Sequence, residues 1–220
     1  VKRYDEARMI WRHLLPFTEG EQKVTGAYMI MNSYIEDNDG DNAAREMANF
    51  QSVFGMDNPI AEMAELAIGQ IFIQANEPEK ALPSLQGSVR NFPQGHGIQD
   101  ALYLKFSTEY TLQKYDECTA TCATYMESYT NGTYMPNALF LRAMANTQNK
   151  QWEPALKYVT ELLQRFPEPT ENFSNIDDAS YQRGWILNQM QNFGEAIKQF
   201  DSFINTHKES PLLPHAMYQK

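Results

Sequence analysis

The chain has 220 residues, 42% of them hydrophobic, enough apolar material for a substantial core and too much for wholesale disorder. A net charge of −10 and a pI near 4.9 argue against nucleic acid and against an anionic membrane surface, because both need clustered Lys and Arg. No uninterrupted apolar run approaches the roughly 20 residues that span a bilayer, so direct membrane insertion is not expected.

The first element is an amphipathic helix at YDEARMIW, residues 4–11, whose order of aromatic, two polar residues and small residue returns along the chain. Ala7, Ala44, Ala81, Cys118 and Ala155 stand 37 apart, and Ala196 follows after 41, the same period with an insertion of four. Tyr4, Tyr115, Trp152 and Phe193 lie three positions before their small residue, whereas Asp41 and Pro78 break the pattern. A second ladder, Ala27, Ala64, Ala101, Ala138, Ala179 and Ala216, keeps the same spacing and the same slip. Around it QDALYLK (99–105), NALFLR (137–142), DDASYQR (177–183) and PHAMYQK (214–220) echo one another.

Each period predicts two helices. The first runs from about the ladder alanine to a polar turn such as ANEPE, TLQK, TQNKQ or QMQN. The second starts near the aromatic and ends at Phe-Pro (92–93, 166–167), where proline blocks another turn. In chain order this divides the sequence into the second helix of a truncated repeat (1–22), a divergent repeat (23–59), repeats at 60–95, 96–133, 134–173 and 174–211, and the start of another at 212–220. Within 193–204, Phe193, Ala196, Ile197, Phe200, Phe203 and Ile204 form one apolar stripe at helical spacing. A helix pair cannot bury such a stripe alone. Neighbours must stack, so the expected fold is all-α, an α-solenoid in which the small residues let helices approach and the aromatics fill the gaps.

Motifs for chemistry are sparse. The acidic stretch IEDNDGDNAARE (35–46) has the glycine of a calcium loop, but Ile35 stands where the first oxygen ligand belongs, and the stretch reads as a solvated inter-helix turn. His13, His96, His207 and His215 are dispersed and share no metal spacing. Cys118 and Cys122 share a helix face; they read as small core residues, with a redox pair or metal half-site as the alternatives. Asn131 and Asn172 fit the glycosylation sequon, a triplet that is frequent by chance. No phosphate loop, GxSxG or HExxH occurs, and no cofactor, metal or small-molecule substrate is expected.

The order of small residues, polar turn, aromatic-x-x-Ala and Phe-Pro resembles the tetratricopeptide repeat. Its hallmark small positions match Gly69, Ala143 and Gly184, twelve before Ala81, Ala155 and Ala196, while Phe106 departs from the pattern in the copy that contains Cys118. The period exceeds the usual 34 residues. The long linkers are similar to those of bacterial envelope proteins of the outer-membrane-assembly lipoprotein and Tol-Pal coordinator type. The resemblance implies a right-handed superhelix, a bacterial periplasmic or envelope setting, and first helices that line a concave surface. Leu66, Tyr103, Phe140, Tyr181 and Tyr218 hold one equivalent place on those helices, and Gln70, Ser107, Tyr110, Met144, Trp185 and Asn188 lie one or two turns further on. Tyr103, Phe140 and Tyr181 read either as core packing or as groove lining; Gln70, Ser107, Met144, Trp185 and Asn188 are expected at the surface. The Lys, Arg and Asn clamp of the chaperone-docking relatives is missing from these places.

The expected function is a non-enzymatic interaction scaffold that takes a protein or peptide in the concave groove, as a segment of a longer array. The alternative is a structural spacer inside a larger multidomain envelope protein. Ala155 lies on the buried ladder, so Ala155→Phe is expected to cost about 1 to 3 kcal/mol by overpacking, read as a lower melting temperature. An unchanged melt would remove Ala155 from the core.

Overall fold

The computed structural model describes residues 3–220, and among these it has twelve α-helices and no β-structure beyond an isolated bridge between Thr170 and Phe173. The helices group into two compact units whose boundary in sequence falls between Thr108 and Glu109. The first unit holds α1 (Tyr4–Leu14), α2 (Gly20–Ile35), α3 (Gly40–Phe54), α4 (Glu62–Gln74), α5 (Pro78–Asn91) and most of α6 (Ile98–Thr111). From α1 to α5, each helix packs on the next. The second unit holds α7 (Tyr115–Ser128), α8 (Met135–Gln148), α9 (Trp152–Arg165), α10 (Ile176–Gln189), α11 (Phe193–Thr206) and α12 (Leu213–Gln219), again each packed on its successor. Each unit is an α-solenoid of stacked helix pairs.

The turn inside each pair is itself a repeated part. Asn38, Asn76, Gln113, Lys150 and Gln191 all adopt the left-handed conformation, with φ between 55° and 59°. At Asn76 the N–H bonds to the Ile73 carbonyl at 3.0 Å, while the Glu77 N–H reaches the Phe72 carbonyl at 2.8 Å. The same two bonds recur at Lys150 and Gln151 (3.0 and 2.8 Å) and at Gln191 and Asn192 (2.9 and 2.9 Å). This is the Schellman ending, which satisfies the last carbonyls of one helix and reverses the chain into the next. The polar turns seen in sequence therefore carry a defined backbone, held by residues with a Cβ where glycine would be less strained.

Close approach between paired helices explains the small residues. A Cβ on Gly69 would lie 2.7 Å from Leu85 Cδ2, and one on Gly184 would lie 2.8 Å from Phe200 Cε1. Ala81, Cys118, Ala155 and Ala196 on the second helices are buried, as are Ala64, Ala101, Ala138, Ala179 and Ala216 on the first. Phe106, which departs from the small-residue pattern, is also fully buried, edge-on to Tyr103 with ring centroids 5.6 Å apart.

The N-terminal ladder positions need correction. Ala7, Ala27 and Ala44 are only half-buried; their neighbours Arg8, Gly26 and Ala43 point inward instead. From Gly26 to Ala64, and from Ala43 to Ala81, the spacing is 38 residues, one more than the period. Adjacent small residues at 26–27 and 43–44 hide this shift in the sequence, since either member could occupy the tight place. On α1 the inward position is a cation. Arg8 donates to the Ser33 carbonyl at 3.2 Å and to Asp37 at 3.1 Å, pairs with Asp5, and lies 4.3 Å over the Tyr34 ring. Burying that charge is tolerable only because each side of it is met by an acceptor or a π face.

A second buried charge sits between α3, α4 and α5. Glu65 is 4% exposed and accepts from Gln51 Nε2 at 2.6 Å and from Asn91 Nδ2 at 3.2 and 3.3 Å. Gly87 on α5 leaves room for its carboxylate. Burial pushes the Glu65 carboxyl above its ordinary value, against the opposing pull of the two amides and Arg90.

Two consequences follow for stability. Lys150→Gly should raise it by about 1 kcal/mol in denaturant unfolding, because the left-handed strain is relieved at a turn whose hydrogen bonds stay intact; a loss of stability would contradict that account. For Glu65, the unfolded chain ionises at lower pH than the folded one, so stability is highest below the ordinary carboxyl value. It declines as pH rises toward the folded value, then levels off. Glu65→Gln should flatten that decline above the ordinary carboxyl range; an unchanged slope would assign it to other groups.

Candidate functional site

The acidic turn between α2 and α3 uses its carboxylates structurally. Asp39 caps α3, accepting from the Asn42 N–H at 3.1 Å. Asp37 pairs with Arg8 at 3.1 Å, Asp41 with Lys80 at 2.9 Å, and Glu46 with Arg12 at 2.7 Å. Among the described residues no group of three or more His, Cys, Asp or Glu side chains is placed to hold a metal ion. Cys118 and Cys122 are both free thiols and fully buried, and burial pushes the Cys122 thiol up, away from the reactive thiolate.

In the second unit the predicted row lies on α8 and α10. Tyr181 is half-buried, its ring 5.8 Å from Phe200 and 6.1 Å from Phe203 on α11, and burial raises its phenol. One turn on, Trp185 is half-buried and meets Trp152 of α9 edge-on at 5.8 Å. Asn188 completes the line and donates through Nδ2 to Gln219 Oε1 of α12 at 3.3 Å. On α8, Phe140 is half-buried. Met144 differs from expectation: it is only 6% exposed and belongs to the core cluster of this unit. The thioether is unbranched and apolar, and it fills the space between helices rather than facing out. Tyr110, near the C-terminal end of α6, is half-buried with its ring 5.6 Å from Tyr115, and burial, foremost, raises its phenol.

The predicted positions of the first unit are more varied. Gln70 on α4 is exposed. Tyr103 is half-buried against Phe106, and Ser107, on the same helix, is also half-buried. These side chains offer a ring, an amide and a hydroxyl.

Residues outside the predicted row also bear on the site. The four-residue insertion brings Phe173 onto Phe140, ring centroids 5.4 Å apart, and Asn137 Nδ2 donates to the Asn172 carbonyl at 3.0 Å. Arg142 of α8 lies 4.2 Å over the Tyr158 ring of α9. The slip in period marked where the insertion falls, but nothing in the linear text shows that its phenylalanine turns back onto α8. A separate recess of 540 Å³ lies against α9, with Leu156, Lys157, Thr160 and Met190 in its wall, and includes none of the predicted row.

The tetratricopeptide repeat family model matches residues 137–169 and 178–210. No curated protein matches the chain. Among solved structures, the chain is similar to YrrB, a TPR protein with an unusual peptide-binding site, at 15% identity and a TM-score of 0.68, covering 99% of this chain and 98% of that one. It is also similar to a MamA structure at 15% identity and a TM-score of 0.63, covering 85% and 93%, and to MamA from Desulfovibrio magneticus RS-1 at 11% and 0.60, covering 93% and 97%. Two stretches of the second unit thus match the tetratricopeptide repeat, and the fold is the helical-repeat fold of YrrB and MamA.

Proposed function

We propose that this chain is a non-enzymatic scaffold that binds a protein or peptide partner along the first-helix faces of its repeats. The observation that carries this reading is the line Tyr181, Trp185 and Asn188 on α10, two half-buried aromatics and an amide at helical spacing. Aromatic side chains of this kind combine large apolar area with a polar edge and dominate binding energy at interfaces. That YrrB, which shares the fold, has a peptide-binding site supports the choice of ligand class. Tyr103, Ser107 and Gln70 in the first unit, and Tyr110 and Phe140 in the second, are the further proposed contact positions; Met144 acts through packing beneath them. The linker resemblance favours a bacterial cell-envelope setting.

A random-peptide display library selected against the purified chain tests the reading. Enriched peptides should bind the wild-type chain, and Trp185→Ala should weaken them at least tenfold, about 1.4 kcal/mol, without lowering the melting temperature to the same degree. A library that yields no binder, or binders indifferent to Trp185→Ala and Tyr181→Ala alike, would defeat it.

A further inference from the structure

The outer side of α1 is apolar and faces solvent. α1 packs on α2 and on the single 3-10 turn, Leu15–Phe17, that continues it. Its inner side carries Arg8 and Trp11, with Leu15 just beyond. The opposite side carries Met9, Ile10 and Leu14, with Phe17 in line, and these are 72%, 58%, 43% and 80% exposed. A single exposed apolar side chain needs no explanation, but four on one helix face form a contiguous patch of the kind that marks an interaction surface.

The order of residues on this face says what covers it. Arg3, Glu6, Ile10, His13 and Phe17 are spaced three, four, three and four, the spacing of a helix seam that meets another helix, and Met9 and Leu14 flank the row. All seven are exposed. The row also complements itself. Glu6 and His13 stand equally far from the midpoint between Met9 and Ile10, with Arg3 and Phe17 at the two ends. Laid end for end on a copy of itself, the row sets Glu6 against His13 twice, Met9 against Ile10 at the centre, and Arg3 against the Phe17 ring. A two-fold contact requires this property, that residue i meets j while j meets i. The parallel arrangement would set Glu6 on Glu6 and His13 on His13, whereas the antiparallel one also lays each helix N-terminus beside the other's C-terminus. Other charges of α1 are engaged within the fold, Asp5 with Arg8 and Arg12 with Glu46 at 2.7 Å. Glu6 pairs with Arg3 at 3.3 Å, but both are well exposed, so the contact is weak and exchangeable.

We propose that the outer face of α1 is a self-association surface, on which α1 of a second copy of this chain packs antiparallel across a two-fold axis between Met9 and Ile10. One face of so short a helix is smaller than the about 800 Å² per partner of a standard interface, so the dimer is reversible and concentration-dependent. The surface is independent of the α10 row. On the scaffold reading it makes the assembly bivalent, with the row presented twice.

Analytical ultracentrifugation of the chain, over a concentration series reaching hundreds of micromolar, tests this. A monomer–dimer equilibrium that stops at two copies is expected. Ile10→Asp should weaken it at least tenfold with the melting temperature unchanged, since Ile10 is exposed. Should Ile10→Asp disturb the melt, Phe17→Ser takes its place with the same expectation. Orientation is read by disulfide formation under mild oxidation, with the native Cys118 and Cys122 buried out of reach. Ile10→Cys should link to itself, whereas Glu6→Cys and His13→Cys should link to each other when mixed and neither to itself. A chain that stays monomeric throughout, or a dimer indifferent to both Ile10→Asp and Phe17→Ser, overturns the proposal. So does growth beyond two copies, the mark of a head-to-tail contact between α1 and a different element, and so does Glu6→Cys linking to itself, the mark of a parallel pair. Trp185→Ala should leave the dimer intact. Peptide binding lost while dimerisation persists, or the reverse, therefore separates failure of the scaffold reading from failure of this one.

Discussion

Paired helices in this protein meet at small residues, where a large side chain of one helix rests on the backbone of the other, and the rest of the architecture is arranged around that contact. Gly69 faces Leu85 and Gly184 faces Phe200 at distances that leave no room for a Cβ. The alanine ladders do the same work elsewhere, with Ala81, Ala138, Ala155 and Ala179 fully buried. Leu85 and Phe200 fill the room that the glycines leave, and Phe203 and Leu162 are fully buried with them in the helix-pair cores. The period of the sequence is the period of this contact.

The turns and the buried charges are subordinate to it. A Schellman ending reverses the chain in few residues, keeping the two helices adjacent, and strained Asn, Gln or Lys is retained where glycine would be more comfortable. Glu65 reaches over Gly87 and ties α4 to α5 and α3 through neutral amides, without an ion pair among its hydrogen-bond partners. Arg8 occupies an inward place on α1 where later repeats use a small residue, and it is held there by Ser33, Asp37 and the face of Tyr34. Both arrangements give a charge at low exposure hydrogen-bond partners, which limits the cost of burial but does not cancel it at Glu65, whose carboxyl is still pushed up.

On the proposed reading, function resides in what the helices leave uncovered. Tyr181, Trp185 and Asn188 lie along α10 with their rings partly sheltered by α9 and α11, so the aromatics are held in place before any partner arrives. Rigid aromatic anchors of this kind lose little freedom on binding. The neighbouring α8 face differs because an insertion folds onto it, which makes two otherwise equivalent helices unequal in what they expose.

Helix number, pairing and the buried ladders from Ala64 onward were legible in the residues, because a repeated close contact imposes small residues at a fixed interval and that interval survives in linear text. Three things were not. The one-residue slip before Ala64 was masked by the adjacent small pairs at 26–27 and 43–44, either of which satisfies the spacing; only the packing of α2, α3 and α4 chooses between them. Met144 was expected outside and lies inside, since helical periodicity assigns a face but not how far neighbouring helices wrap around it. Phe173 lies in a segment without periodicity, and its destination on Phe140 depends on where α8 stands in space. Local spacing thus determined the helices and their contacts, whereas the exposure of each side chain was decided by the neighbours that the tertiary structure brings against it.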